Sequence, residues 1–291
     1  MPQKSCSDAN GTMTVPYGAM TPGWLDKAVI AATSRLPGNW LGLRLAIGLR
    51  RIVTMRLSGD RGFDVERWGL RMRLHPRYNG CEKNLLFTPQ MYEAPERVEL
   101  VSEIDKAKGS GRTFVFVDIG ANVGLFSLFV ASYAGRNAKI IAVEPEPRNL
   151  CRLRFNVAAN PGFPIRVIAL ALGESEGRVV VEVNERDRGG TRTRPLSQHD
   201  QAETVCAECR PLLEVLRQEE VTYIDALKID VEGAEDEILA PFFANAPERL
   251  WPSFIIIEDS RNSWRIDLFS LLAERGYRIS TRTKLNVMMR R

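Results

Sequence analysis

The run Val115-Phe-Val-Asp118-Ile-Gly120-Ala-Asn122-Val-Gly124 leads straight into the apolar stretch Leu125-Phe-Ser-Leu-Phe-Val130. A strand, an acid, a glycine-rich turn and a helix in that order put backbone N–H groups and a carboxylate at the carboxyl edge of a parallel sheet, where nucleotide-like cofactors bind. The spacing is Asp-x-Gly-x-Asn-x-Gly and not the G-x-G-x-x-G of a dinucleotide site. A pyrophosphate disfavours a nearby negative charge, whereas a cationic amino-acid tail, such as the methionine part of S-adenosylmethionine, favours one. Asp118, Gly120, Asn122 and Gly124 are therefore expected to hold a methyl donor. Glu144 follows Gly120 by 24 residues, close to the roughly 20-residue offset at which an acid meets ribose hydroxyls.

A second constellation is Leu227-Lys228-Ile229-Asp230-Val231-Glu232-Gly233-Ala-Glu235. Methyl transfer to a hydroxyl requires alignment of oxygen, methyl and sulfur, and removal of the hydroxyl proton. Asp230 or Glu232 is the expected base, with Lys228 tempering their repulsion. The bland alternative is that Asp230 orders a turn while Glu232 and Glu235 favour a helix N-terminus. Glu258 ends another apolar strand at the same edge. The polar stretch Asn184–Gln201, with Gly189-Gly190-Thr-Arg192-Thr-Arg194, reads as a mobile loop near the cofactor edge. Lys228, Glu258, Arg192 and Arg194 are the substrate-contacting candidates. His75 and His199 are isolated, and an isolated histidine is more often a surface residue than a catalytic one.

These groups need a scaffold that brings strand ends together. From Gly111 onwards, strands and helices alternate, the signature of a parallel sheet wound on both faces. Strands are expected at Phe114–Asp118, Lys139–Val143, Ile165–Leu170, Arg178–Val183, Ile224–Asp230 and Phe254–Glu258. Tyr277–Ser280 and Leu285–Met289 would close the sheet as an antiparallel pair. Helices are expected at Val123–Tyr133, Glu146–Ala159 and Trp264–Arg275. Residues 1–20 read as disordered and 21–110 as an arm. The arm has helices at Trp24–Ser34 and Asn39–Leu57, short strands at Phe63–Arg67 and Leu70–Leu74, and a helix at Tyr92–Lys108 with Val98, Val101 and Ile104 on one side. Residues 111–291 form the Rossmann-like domain.

Composition is that of a globular α/β protein: 291 residues, 44% hydrophobic, 26% charged, net charge +4, enough for one large core and an appendage. The charge is uneven. Between Arg35 and Arg77 lie ten arginines against Asp60, Asp64 and Glu66, a face suited to an acidic partner. Trp40–Leu57 carries Arg44, Arg50, Arg51 and Arg56 and is too charged to span a bilayer. Its arginines scatter around the helix, which favours packing and leaves room only for a weak peripheral membrane contact. The N-terminus has no apolar core for secretion, so the cytoplasm is the expected location. Five cysteines, an odd count, point to reduced thiols. Cys206-x-x-Cys209 lacks a second pair for zinc, and no metal is assigned, although Asp230, Glu232 and Glu258 are oxygen ligands of the kind Mg²⁺ takes.

Taken in order, Phe87-Thr-Pro-Gln-Met-Tyr-Glu93, Asp118–Gly124, Glu144-Pro-Glu-Pro-Arg-Asn-Leu150 with Asn156, Ala171-Leu-Gly173 and Lys228–Glu235 resemble the FkbM-type methyltransferases over about residues 85–291. The resemblance implies a seven-stranded, Rossmann-like class I methyltransferase sheet and S-adenosylmethionine as cofactor. It also implies an O-methyltransferase acting on a hydroxyl of a sugar, glycan precursor or related natural product, with Asp118, Gly120, Asn122, Gly124 and Glu144 binding the donor. The expected partner is a small-molecule or carbohydrate acceptor. Nucleic acid is not expected, because basic and aromatic residues do not interleave, although an RNA methyltransferase using the basic arm is one alternative. A non-catalytic donor-binding scaffold and a nicotinamide dehydrogenase are others. Oligomeric state is not legible.

Overall fold

The computed structural model describes residues 15–184, 189–197 and 205–291. Helices α1 (Trp24–Thr33) and α2 (Trp40–Thr54) come first, then a hairpin of β1 (Phe63–Arg67) and β2 (Leu70–Leu74). The hairpin turn places Trp68 and Gly69 at φ 54° and 75°, the paired positive φ values of a turn that matches strand twist. Helix α3 (Gly80–Phe87) was not expected, and α4 (Ala94–Gly109) follows. Asn39 caps α2 by accepting from Gly42 N at 2.9 Å, and Asn79 caps α3 by accepting from Glu82 N at 3.1 Å, each satisfying an orphan helix donor.

Three expectations for this arm are corrected. On α4 the buried face is Leu100, Ile104 and Ala107, while Val98 is 70% exposed. Residues 15–20 form a turn pinned by Asp64, whose Oδ2 accepts from Gly18 N and Met20 N at 2.7 and 2.9 Å. Arg73, wholly buried, pairs with Asp64 and donates to the carbonyls of Val15 and Pro16. Cys151 is disulfide-bonded, while Cys206 and Cys209 are free thiols, so the thiols are not uniformly reduced; an odd count does not forbid a bridge.

The rest builds β3 (Phe114–Ile119), α5 (Leu125–Ala134), β4 (Ala138–Val143), α6 (Pro147–Ala158) and β5 (Ile165–Ile168). Next come β6 (Ala171–Leu172), β7 (Gly177–Glu182), β8 (Arg192–Pro195), β9 (Cys206–Arg210) and α7 (Leu212–Gln218). The chain closes with β10 (Ala226–Ile229), α8 (Glu235–Asn245), β11 (Phe254–Glu258), α9 (Leu268–Glu274), β12 (Arg278–Arg282) and β13 (Asn286–Arg290). The main sheet has seven strands in the order β12-β13-β11-β10-β3-β4-β5, with β13 antiparallel to both its neighbours. Strands β6 to β9 form a separate four-stranded sheet. Thus β7 does not join the parallel series, and part of the expected polar loop is strand β8.

Alternation along the strands sorts two cores. Phe114, Phe116, Ile140, Phe254 and Ile256 face the arm and α5. Val115, Val117, Ile141, Leu227, Ile255 and Ile257 face α7, α8 and α9. The arm thus covers one face of the sheet. It is fixed there by α6 and the turn that follows it, where Arg152 and Asn156 on the helix and Asn160 just past its end present one polar row. Asn156 Oδ1 accepts from Arg73 N at 2.8 Å; Asn160 accepts from Arg71 N and donates to Arg71 O. Arg152 pairs with Asp60 and Glu82. The side chains of a helix take the place of a strand partner for β2.

Candidate active site

Chain order reverses between β3 and β10, which are hydrogen-bonded neighbours, with β4 and β5 on one side and β11 on the other. The crevice beyond such a switch point is where ligands bind in open α/β sheets. A cavity of about 920 Å³ lies there, lined among others by Asp118, Gly120, Asn122, Glu144, Lys228, Asp230, Glu232 and Glu258. That is near the top of the range of roughly 300–1,000 Å³ for small-ligand clefts, which leaves room for a donor and an acceptor together.

On the β3–β4 side, Gly120 sits at φ +75°, and a Cβ there would lie 1.9 Å from the Asp230 carbonyl oxygen. Only glycine lets the turn after β3 pass the end of β10 so closely. Asn122, at φ 53°, donates its backbone N–H to Glu144 Oε2 at 2.8 Å, while its Oδ1 accepts from Asn79 Nδ2 at 2.8 Å. Glu144 Oε1 accepts from Glu146 N at 2.9 Å. Each oxygen of this buried carboxylate therefore takes one backbone N–H and keeps acceptor capacity. Burial, which its two backbone hydrogen bonds only partly oppose, pushes its pKa up to about 8. Asp118 is 1% exposed and accepts from Ser127 N and Oγ at 3.0 and 2.6 Å. It lines the cavity while satisfying a first-turn donor of α5. Gly124 does not line the cavity; at φ +85° it caps α5 against Leu153.

On the β10–β11 side, Lys228 Nζ donates to Asp230 Oδ2 at 2.7 Å and lies 4.9 Å from the Phe126 ring centre. Burial alone would lower its pKa, but Asp230, Glu93 and Asp118 hold it above the ordinary lysine value. Carboxylate oxygens of Asp230, Glu232 and Glu258 lie within 4.8 Å of one another, close enough to share a cation. Burial, with Asp230 and Glu232 adding repulsion, raises Glu258 to about 8. Glu232 stands at φ +60°, a left-handed backbone rare outside glycine. Glu235 is structural: its Oε1 accepts from Val231 N and Gly233 N, and Oε2 from Trp264 Nε1 at 2.6 Å.

Glu93 completes the wall and was not singled out as a site residue. It precedes α4 in a left-handed conformation (φ 39°, ψ 48°), and burial, opposed by Lys228, raises its pKa to about 7. The one sequence signal was its place in the Phe87–Glu93 segment. Two expected substrate residues do not line the cavity. Arg192 and Arg194 lie on β8, where alternate residues face opposite ways. Thr191 and Thr193 line the cavity and the arginines do not; Arg194 Nε donates to Glu182 Oε1 at 2.6 Å. His75 is fully buried in the arm with Nδ1 2.8 Å from Asp60 O. His199 lies outside the described residues.

Sheet order, switch-point cavity and strand-end acids define a Rossmann-like class I methyltransferase. The model of the methyltransferase FkbM domain matches residues 118–279, more than half of the chain, and the chain belongs to that family. S-adenosylmethionine is its methyl donor, and the pocket fits it: the tight turn at Gly120 admits close approach, and Glu144 retains acceptors for vicinal hydroxyls. Among curated proteins, the chain is 29% identical over 195 residues to methyltransferase sdnD of Sordaria araneosa, spanning 56% of this chain and 73% of sdnD. It is 28% identical over 209 residues to the AMB antimetabolite synthetase AmbE of Pseudomonas aeruginosa, spanning 58% of this chain but only 10% of AmbE. A METTL16 methyltransferase domain structure aligns over 92% of this chain and 91% of its own, at 14% identity and a TM-score of 0.49.

Proposed function

We propose that the protein methylates a hydroxyl of a small-molecule or carbohydrate acceptor, a sugar, glycan precursor or related natural product. The observation that carries this reading is the division of one cavity into two chemistries. Glu144 and the 118–122 turn offer acceptors and backbone donors at one end, and Asp230, Glu232 and Glu258 gather at the other. When bound, S-adenosylmethionine supplies an electrophilic methyl group. Asp118 and Asn122 would hold its amino-acid tail and Glu144 its ribose. The acid group at the far end would orient the acceptor hydroxyl and take its proton.

Asp230 lies 2.7 Å from the Lys228 ammonium at the β10 end of the cavity and would take the hydroxyl proton. Glu232 shares the cluster and has the same capacity. Glu258, raised to about 8, is protonated near neutrality and would donate a hydrogen bond to an acceptor oxygen. A general base of this kind contributes about 10²–10⁴-fold to rate. The test is incubation of the purified protein with S-adenosylmethionine and a panel of sugar nucleotides and glycolipid intermediates, read by mass spectrometry. A gain of one methylene that vanishes in Asp230→Asn supports the reading; no gain on any hydroxyl compound, with methylation of RNA instead, would replace it.

A further inference from the structure

Helix α2 buries only small residues and one valine, Gly42, Ala46 and Val53, and turns its large apolar residues outward. At about 100° per residue, Leu41, Leu45, Gly48, Ile52 and Met55 fall within one arc of roughly 80°. Leu41, Leu45, Ile52 and Met55 are 57, 50, 45 and 83% exposed. Arg44 and Arg51 border one side of this stripe, and Arg56, just past the helix end, borders the other; all three are exposed. Of the four arginines expected to scatter around the helix, these three flank an outward apolar stripe, while Arg50 lies on the opposite side and donates to Asn84 Oδ1 at 3.1 Å. A contiguous exposed apolar strip marks an interaction surface, and arginine margins on an apolar helix face suit a lipid interface, where long cationic side chains reach outward to headgroups.

Charge selects the occupant. From residue 27 to residue 59 the chain has no acid and six cations, Lys27, Arg35, Arg44, Arg50, Arg51 and Arg56. A second copy would have to meet this face with the same cationic face. A nucleic acid would satisfy the arginines but leave the apolar strip in water. The N-terminal end of the helix adjoins the cavity, which Gly38, Asn39, Trp40 and Leu43 help to line. We infer that α2 docks on the surface of a bilayer carrying anionic lipids, with its apolar stripe at the headgroup–acyl boundary and the cavity mouth beside it. No helix among the described residues is long and apolar enough to cross a membrane, so the contact is peripheral.

The test is co-sedimentation of the full chain with vesicles of phosphatidylcholine containing about one-third phosphatidylglycerol, against phosphatidylcholine alone. The full chain is expected to pellet with the mixed vesicles and to stay in solution with the neutral ones. Removing two surface cations in Arg51→Gln/Arg56→Gln should weaken partition roughly 30-fold, at about fivefold per cation, and Leu45→Asp/Ile52→Asp should abolish it. Both variants should bind S-adenosylhomocysteine as the unmodified chain does, which shows that they fold. Equal partition onto neutral vesicles, no partition at all, or binding indifferent to both variants would overturn the proposal. So would a dimer that Ile52→Asp converts to a monomer, since the stripe would then be a self-interface. The vesicle experiment needs neither donor nor acceptor, so its failure is distinct from failure of the methyl-transfer reading.

Discussion

The backbone N–H of Asn122 donates to Glu144 Oε2 at 2.8 Å, so the acid expected to meet the donor's ribose also holds the turn expected to meet its amino-acid tail. Glu144→Gln replaces a charge-assisted acceptor with a neutral amide and sets an NH₂ group toward one of two backbone donors. Hydrogen bonds to charged groups are worth about 1.5–3 kcal/mol. Affinity for S-adenosylhomocysteine should fall roughly 10- to 100-fold, read by calorimetry.

Gly120→Ala should cost more than affinity. The new methyl would collide with the Asp230 carbonyl at 1.9 Å in a φ +75° backbone, so β3 and β10 must part at their carboxyl ends. The expected result is a lowered melting temperature together with loss of donor binding. Gly124→Ala meets only the flexible end of Leu153 at 2.4 Å and should retain more of both.

Glu93, Glu144 and Glu258 have pKa values raised to about 7, 8 and 8, chiefly by burial. The folded chain therefore binds more protons than the unfolded chain between the ordinary carboxyl range and these values. Stability that these groups contribute in acid is lost as pH rises through about 8. The melting temperature of the ligand-free protein should fall from about pH 5 to about pH 9. Bound donor favours ionised Glu144, so the stabilisation it confers should grow over the same interval. A flat profile in both states contradicts the assignment.

Lys228 is the cation common to Asp230, Glu93 and Asp118. Lys228→Met removes the counter-charge these carboxylates share, and Glu93 and Asp118, whose raised pKa values it opposes, should take up protons at higher pH. The acid limb of the kcat/KM profile is expected to move to higher pH, with a lower rate at neutrality. An unchanged profile would show that the base lies outside this group.

The clamp of α6 on β2 predicts a stability effect. Asn156→Ala leaves Arg73 N without its side-chain acceptor in a buried setting, a loss of about 1–3 kcal/mol. Denaturant unfolding should show this, and because Asn156 Nδ2 also donates to Val123 O in the turn after β3 at 3.1 Å, donor affinity should fall with it.

The strand-end acids were legible because apolar runs ending in Asp118, Glu144 and Glu258 carry a local signal of strand and edge. Phe254–Glu258 was read to the residue. The β1–β2 hairpin was legible from its two short apolar runs around Trp68-Gly69. Helix α3 was not, since its Asn79-Gly80 start looks like a turn and only eight residues follow. The second sheet escaped because its pairings, such as β6 with β9, are non-local. The placing of Arg192 and Arg194 off the cavity wall was hidden for a related reason: only once residues 192–195 are known as strand does alternation turn the threonines inward. Glu93 depends on a left-handed residue and on the approach of Lys228 from 135 positions away, which no local pattern encodes.

The central claim is that the β3–β4 edge grips a methyl donor through Glu144 and the 118–122 turn. Calorimetric titration of the purified protein with S-adenosylhomocysteine, beside Glu144→Gln, tests it most directly. The account predicts one site per chain and clear weakening in a variant that still melts cooperatively. No heat with the unmodified protein, or equal affinity in the two, would contradict it.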